Sequence, residues 1–156
     1  MSTNKFNLFL ENARLLSDKF DIVPLLYGSL GLEYLTDDAL GVDDIDILLP
    51  RVFITDRWQE FKVVLEAQGY VLVDEHEHTF VRDGAACSYA DIEDLEPFAG
   101  INTEDIEKHE ADGVRFLLLS LEQYLAVYKQ SSKDGYRVNV RQKKDTDKIR
   151  FIESKL

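Results

Sequence analysis

The sequence predicts an α+β fold, with a mixed and mainly antiparallel sheet, flanking helices and a short helical tail at the C-terminal end. Three observations support this prediction. Apolar residues recur at helical spacing over residues 3–20. Short apolar runs then alternate with helical segments over residues 21–67. Residues 70–95 follow as three short strands, with Asp83-Gly84 as a hairpin signal between two of them.

The first half of the chain gives a separate signal for each element. The predicted elements are a helix over 3–20, a strand over 21–28, a helix over 29–37, a strand over 42–50 that Pro50 stops, and a helix that Thr55 or Asp56 caps and Gly69 ends. Strands and helices that alternate in this way indicate a sheet covered by helices.

The second half continues the same sheet and then becomes helical. After the three strands, the sequence predicts a loop carrying Pro97 and Gly100, an exposed acidic stretch over 104–112, a strand over 114–120, a helix capped by Ser120, and a last helix. At 156 residues the chain is too short for an eight-stranded α/β barrel. We expect an α/β core over residues 1–119 and a helical extension over 120–156 packed on it.

The charge of the chain limits its partners. The net charge is −12, from 30 acidic and 18 basic residues. Such a charge repels the phosphate backbone, so a nucleic acid is not expected as the main partner. It is compatible with a divalent cation, with a nucleotide carried by that cation, or with a basic protein partner.

Cysteine content and hydropathy indicate the compartment. Cys87 is the single cysteine, which excludes an internal disulfide and a cysteine-based zinc cluster. No stretch approaches the roughly 20 apolar residues that span a bilayer, and the first residues do not have the pattern of a signal peptide. We therefore expect a cytoplasmic protein that does not contact a membrane.

Two aspartates stand on a strand that is otherwise apolar. Side chains alternate along a strand, so Asp44 and Asp46 are predicted to share one face while Ile45 and Ile47 share the other. Two such carboxylates repel each other unless a cation lies between them, and Mg²⁺ prefers carboxylate oxygens with space left for water and phosphate. The preceding Gly28-Ser29 stands where a strand meets a helix, and free N–H groups there favour an anion.

The motif formed by Tyr27-Gly28-Ser29, a short helix and Asp44-Ile45-Asp46-Ile47 resembles that of the polymerase-beta-like nucleotidyltransferase superfamily. The resemblance implies that Asp44 and Asp46 bind Mg²⁺ (or Mn²⁺) and that a carboxylate on a later strand completes the metal and catalytic site. Asp91 is the first choice for that carboxylate, ahead of Glu93 and then Asp83. Near the C-terminal end, Lys144, Asp145 and Asp147 resemble a Lys-Asp-x-x-Asp-like segment of small bacterial members.

The resemblance also implies an activity. A Mg²⁺-dependent nucleotidyltransferase would move a nucleoside monophosphate from an NTP to a hydroxyl group of a small molecule or a protein. Gly28, Ser29 and nearby backbone N–H groups would bind the nucleotide phosphates. Lys129 or Arg141 from the C-terminal helices would neutralise part of the phosphate charge.

Two other functions are open at the level of sequence. The acidic residues around the motif and the lack of a basic residue just before Asp44 favour a catalytically inactive binding module of the same fold, for instance an antitoxin-like protein that covers a basic partner. A purely structural role for the two aspartates is the third interpretation. His76 and His78 are spaced like a zinc or nickel pair, but a solvated hairpin is the preferred interpretation.

Overall fold

A twisted sheet runs through the centre of the protein, as seen in a computed structural model. The structure describes residues 3–133 and 140–156, without the side chains of residues 140–143. Within these ranges the strands are β1 (Leu25–Tyr27), β2 (Ile45–Leu49), β3 (Val71–Asp74), β4 (Thr79–Arg82), β5 (Ala85–Asp91), β6 (Glu107–Ala111) and β7 (Val114–Leu118).

The strands are ordered β3-β4-β5-β2-β1-β7-β6 across the sheet. Two neighbouring pairs, β2 with β5 and β1 with β7, are parallel. The other neighbouring pairs are antiparallel. The predicted mixed, mainly antiparallel sheet is therefore confirmed.

Helices cover both faces of this sheet. They are α1 (Thr3–Phe20), α2 (Gly28–Thr36), α3 (Trp58–Ala67), α4 (Leu95–Ala99), α5 (Leu121–Ser132) and α6 (Val140–Lys155). Short 3₁₀ turns occupy Arg51–Ile54, Ile92–Asp94 and Thr103–Asp105. The α+β class is confirmed. Among the described residues, every helix is too short or too polar to serve as a membrane span.

Each face of the sheet has its own apolar layer, because neighbouring residues on a strand point to opposite faces. Ile47 belongs to the layer that α1 and α3 cover, with Phe9 and Phe61 among its fully buried members. Leu48 belongs to the layer under α4, α5 and α6, together with Tyr124. The sheet is thus sandwiched between two helical layers.

Some local predictions were wrong. The acidic residues of the stretch over 104–112 are exposed as predicted, but Ile106 is buried, and the stretch contains strand β6, which pairs along the outer edge of β7. Residues predicted as a loop around Pro97 form α4. Neither Thr55 nor Asp56 caps α3; the Thr55 hydroxyl donates instead to the Arg51 carbonyl, 2.9 Å away.

Other local predictions are confirmed. Ser120 caps α5 through a capping box, in which its hydroxyl accepts from the Gln123 N–H and the Gln123 side chain accepts from the Ser120 N–H. The Asp83-Gly84 turn joins β4 and β5. The division into a core over 1–119 and an extension over 120–156 stays a prediction.

The buried position of Cys87 predicts an unreactive thiol. Burial raises the pKa of Cys87 to about 12; Asp44 and Asp46 add to the rise and Arg82 opposes it. An unfolded cysteine has a pKa of about 8.5. At pH 9 we therefore expect at least a hundredfold slower reaction with a disulfide reagent in the folded protein than in urea, since the thiolate is the nucleophile.

The same difference in pKa gives a pH dependence of stability. The folded pKa lies above the unfolded value, so the stabilisation from the protonated thiol is complete below about pH 8.5. It is lost as the pH rises through about 12. Equal rates of reaction of Cys87 with the disulfide reagent at pH 9, in the folded protein and in urea, would contradict the raised pKa and therefore this pH dependence.

Candidate active site

A cavity of about 850 Å³ lies between the sheet and helices α5 and α6. Several residues predicted from the motif line it, namely Gly28, Ser29, Asp44, Asp46 and Asp91. The strand-helix-strand motif therefore lies beside this cavity, and the following contacts position its residues.

The first contact joins the Gly-Ser turn, residues Gly28-Ser29, to the carboxylate of Asp46. Tyr27 pairs with Asp46 across β1 and β2, and the chain turns into α2 immediately after it. Gly28 has a φ of +63°, which disfavours any side chain. A Cβ at this position would also overlap the Asp46 carboxylate. Glycine thus allows the carboxylate to lie against the first residue of α2.

The first two residues of α2, Gly28 and Ser29, line the cavity. Tyr27 is the N-cap residue, and its side chain makes no capping hydrogen bond. The first N–H groups of a helix lack partners within the helix, and the helix dipole makes this end positive. A half-buried Ser29 adds a hydroxyl at the same place. An anion therefore suits this end of the cavity, next to the Asp46 carboxylate.

A tyrosine from α5 forms a hydrogen bond with the backbone of the Gly-Ser turn. The Tyr124 hydroxyl donates a hydrogen bond of 3.0 Å to the Gly28 carbonyl. Burial raises the pKa of Tyr124 well above its usual value, so the phenol keeps its proton. The sequence predicted the helix that carries Tyr124 but did not indicate this contact, because helical periodicity does not say which strand a helix packs on.

The loop over residues 37–44, which joins α2 to β2 and carries Asp44, is tied to two helices at its centre. The buried Glu33 of α2 accepts from the Leu40 N–H at 2.9 Å. The Lys5 ammonium of α1 donates to the Val42 carbonyl, and the Val42 side chain is buried. These contacts fix the backbone immediately before Asp44.

The same loop is held by the last helix. Lys155 of α6 forms an ion pair of 2.7 Å with Asp38. Asp44 itself is exposed and precedes β2, which begins at Ile45 rather than at the predicted residue 42. Asp46 is half-buried within the strand. One carboxylate therefore comes from an anchored loop and the other from the sheet.

These two carboxylates are the groups of the motif that could hold a metal ion. Among the described residues, no group of three or more His, Cys, Asp and Glu side chains is placed to hold a metal ion. Mg²⁺ is commonly bound through only one or two protein carboxylates, with water and substrate phosphates as the remaining ligands. Asp44 and Asp46 beside an open cavity satisfy that requirement, but they do not form a complete protein cage.

Asp91 borders the cavity and already has partners. Its carboxylate accepts from Arg51 Nε and, at 2.8 Å, from the Glu93 N–H. In the β2–β5 register Ser88, three residues earlier on β5, is the residue beside Asp46. Because side chains alternate along a strand, Asp91 points to the opposite face from Ser88 and Asp46. Its predicted role as the third metal ligand is untested and stays a prediction.

The alternatives to Asp91 lie elsewhere. Glu93 is exposed, and its carboxylate accepts from the backbone N–H of Arg51 at 3.0 Å. Asp83 is exposed in the turn between β4 and β5. In the hairpin between β3 and β4, His76 is exposed and His78 packs edge-on against Trp58, with 4.7 Å between ring centroids. Both histidines also line the cavity, and the interpretation of a solvated hairpin stays a prediction.

Positive charge reaches the cavity from α6. Lys144 and Lys148 both line it. Between them in the chain, the buried Asp145 accepts from the Ser131 hydroxyl of α5 at 2.7 Å, which ties the two helices together. Lys129 lies on α5 outside the set of lining residues. The Arg141 side chain lies outside the described residues, so both predicted phosphate contacts stay predictions.

The chain has a nucleotidyltransferase-like fold, as its likeness to solved structures shows. The solution structure of the antibiotic-resistance factor ANT(2'')-Ia matches 99% of this chain and 92% of that chain, with a TM-score of 0.55 and 12% identity. An antigenic nucleotidyltransferase-like protein from Paracoccidioides brasiliensis matches 97% of this chain and 77% of that chain, with a TM-score of 0.64 and 14% identity.

A crystal structure of ANT(2'')-Ia in complex with adenylyl-2''-tobramycin also matches, with a TM-score of 0.60 and 13% identity over 99% of this chain and 90% of that chain. The chain belongs to the family of the uncharacterized protein YnaI of Bacillus subtilis (strain 168), to which it is 40% identical over 147 residues, or 94% of each protein. No protein-family model matches the chain.

The contact between Gly28 and Asp46 can be tested with a pair of glycine variants. Gly84 also has a positive φ, but nothing lies within 4 Å of a Cβ built on it. We expect Gly84→Ala to lower the free energy of unfolding by about 1–2 kcal/mol, the cost of the left-handed backbone alone. Gly28→Ala should cost a further 1–3 kcal/mol, roughly the cost of overpacking. Urea denaturation measures both.

A third variant identifies the source of the extra cost. Asp46→Ala removes the carboxylate that a Cβ at residue 28 would overlap. Gly28→Ala should therefore cost less in an Asp46→Ala background than in the wild type. Equal costs in the two backgrounds would mean that the carboxylate does not restrict residue 28.

Proposed function

We propose that this protein is a Mg²⁺-dependent nucleotidyltransferase that moves a nucleoside monophosphate from an NTP to a hydroxyl group. One observation carries the proposal. Gly28 lets the Asp46 carboxylate lie against the N-terminal end of α2, so a cation ligand and an anion-binding helix end meet at one wall of the cavity. A nucleotide triphosphate with its metal ion needs both.

Each group has a separate task in this proposal. Asp44 and Asp46 would hold Mg²⁺ or Mn²⁺, which when bound supplies Lewis-acid stabilisation of charge on the phosphoryl oxygens. Ser29 and the first N–H groups of α2 would bind the phosphates. Lys144 and Lys148 line the cavity on the α6 side and would neutralise the remaining phosphate charge, with Lys129 as a further cation.

Asp91 is proposed as the third carboxylate of the reaction. It is close to the cavity and buried. In this role it would have to release Arg51, its present partner, and turn toward the face of the sheet that carries Asp46. Arg51 could then pair with Asp94, to which its guanidinium already extends at 3.2 Å.

The acceptor is proposed to be a small molecule with a hydroxyl group. The fold relative ANT(2'')-Ia forms a complex with adenylyl-2''-tobramycin. A protein hydroxyl is the other acceptor compatible with the resemblance. We infer a cytoplasmic location from the sequence alone.

A second candidate function is nucleotide binding without transfer. Two contacts favour it: Ser88 rather than an acidic residue stands beside Asp46, and Asp91 is engaged by Arg51. In that case the protein would bind a metal-nucleotide complex and act on a basic protein partner through its acidic surface. Both functions share the nucleotide site and differ in their need for Asp91.

The nucleotide site can be tested by thermal unfolding with each of the four NTPs, with and without Mg²⁺ or Mn²⁺. A ligand at 100 times its Kd stabilises by about 2.7 kcal/mol. For a chain of this length that is a rise in Tm of roughly 5–10 °C. We expect a rise that requires both NTP and metal and that disappears in Asp44→Asn/Asp46→Asn, because the variant lacks both metal-binding charges.

Two further variants complete this experiment. Asp18→Asn alters an exposed aspartate on α1 and should leave the shift intact. Asp91→Asn should keep nucleotide binding in both proposals, and it should abolish turnover if Asp91 is catalytic. The absence of any metal-dependent shift in the wild type would overturn both proposals.

A further inference from the structure

We propose that Tyr124 is a positioning residue for nucleotide binding: its hydroxyl holds the peptide between Gly28 and Ser29, which lies at the start of α2 beside the cavity. This inference rests on the proposed function, because it names the group that orients the phosphate site. It also makes α5 part of that site, although α5 lies in the segment that the sequence assigned to a separate extension.

The contact itself joins distant parts of the chain. The Tyr124 hydroxyl donates to the Gly28 carbonyl at 3.0 Å, across 96 residues of sequence. Tyr124 is 1% exposed, so little water competes for this bond. Its burial raises its pKa and keeps the phenol a donor. A buried donor of this kind binds a single acceptor in a defined direction.

A second glycine of α2, Gly31, leaves the space that the Tyr124 hydroxyl occupies. A Cβ on Gly31 would overlap the Tyr124 hydroxyl and the Leu26 carbonyl. Gly28 and Gly31 are three residues apart, so they lie on neighbouring turns of one helix face. The first glycine makes room for the Asp46 carboxylate and the second makes room for the tyrosine. The start of α2 is therefore packed between a strand residue and α5.

Peptide geometry links the bond to the cavity. The carbonyl of Gly28 and the N–H of Ser29 belong to the same planar peptide and point in opposite directions. A donor that fixes the carbonyl therefore fixes the N–H as well. Gly28 begins α2, so its carbonyl also accepts from the backbone N–H four residues later. Because glycine adopts both signs of φ, this first peptide is less restrained by its own residue than the peptides that follow. Without the Tyr124 hydroxyl, this carbonyl would keep only its helical donor.

Helix α5 is rigid at the point where Tyr124 leaves it. The Ser120 capping box closes the first turn, and the Tyr124 N–H donates to the Ser120 carbonyl at 2.9 Å. The Tyr124 ring stacks on Tyr128 with 6.1 Å between centroids. The hydroxyl therefore has few alternative positions from which to reach α2.

The test compares Tyr124→Phe with Tyr89→Phe. Both variants keep an aromatic ring and remove one phenolic hydrogen bond from a buried site. Tyr89 is also among the residues that line the cavity, but its hydroxyl lies in the layer under α1 and α3, where it accepts from the Asn12 side chain at 2.6 Å. The probes are the four NTPs and inorganic tripolyphosphate, each with Mg²⁺, in calorimetric titrations.

We expect Tyr124→Phe to raise the Kd of tripolyphosphate and of the preferred NTP by about tenfold, the effect of about one hydrogen bond. Tyr89→Phe should leave both values within twofold of the wild type, although it also loses a buried bond. A purely structural effect would weaken binding in both variants, and that result would overturn the inference.

A second measurement does not require nucleotide. The ¹⁵N order parameter of the Ser29 amide reports the rigidity of this peptide directly. It should fall in Tyr124→Phe and stay unchanged in Tyr89→Phe. If the wild type binds neither probe, the proposed function fails, and the order parameter still decides whether Tyr124 fixes the peptide. Unchanged rigidity and unchanged affinity in Tyr124→Phe would overturn the inference.

Discussion

Close packing between Gly28 and the Asp46 carboxylate is the constraint on which the rest of the site depends. A side chain at residue 28 would displace the carboxylate and would also oppose the positive φ of the turn. Because β1 and β2 are adjacent, the residue that ends one strand touches the acid on the other. The pairing of β1 with β2 therefore brings the N-terminal end of α2, which favours an anion, next to the Asp46 carboxylate, which favours a cation.

The two faces of the sheet differ in polarity and packing. The layer under α1 and α3 is a continuous apolar core that contains several stacked and edge-on aromatic pairs, such as Phe9 with Phe116 at 5.4 Å. The face under α5 and α6 carries Asp46 and the cavity. One side stabilises the fold, which allows the other side to keep polar groups and open space close to the sheet.

The part of the site that depends on local sequence could be predicted, and the part that depends on strand register could not. Gly28-Ser29 and Asp44-Ile45-Asp46 form a pattern within one strand-helix-strand unit. Asp91 was chosen by its place along the chain, but a shift of one residue in register moves a side chain to the other face. Sequence alone does not give the pairing of Asp46 with Ser88. Strand β6 was missed because an exposed edge strand carries no apolar alternation.

The anchors of the 37–44 loop have a consequence for the order in which the protein assembles. Lys5, Glu33 and Lys155 hold this loop, and they come from the first, second and last helices. Such widely separated partners raise the contact order, and non-local contacts form late. During synthesis the loop lacks its last anchor until α6 has left the ribosome. The 37–44 loop beside the cavity therefore gains its full set of anchors only after α6 has been made.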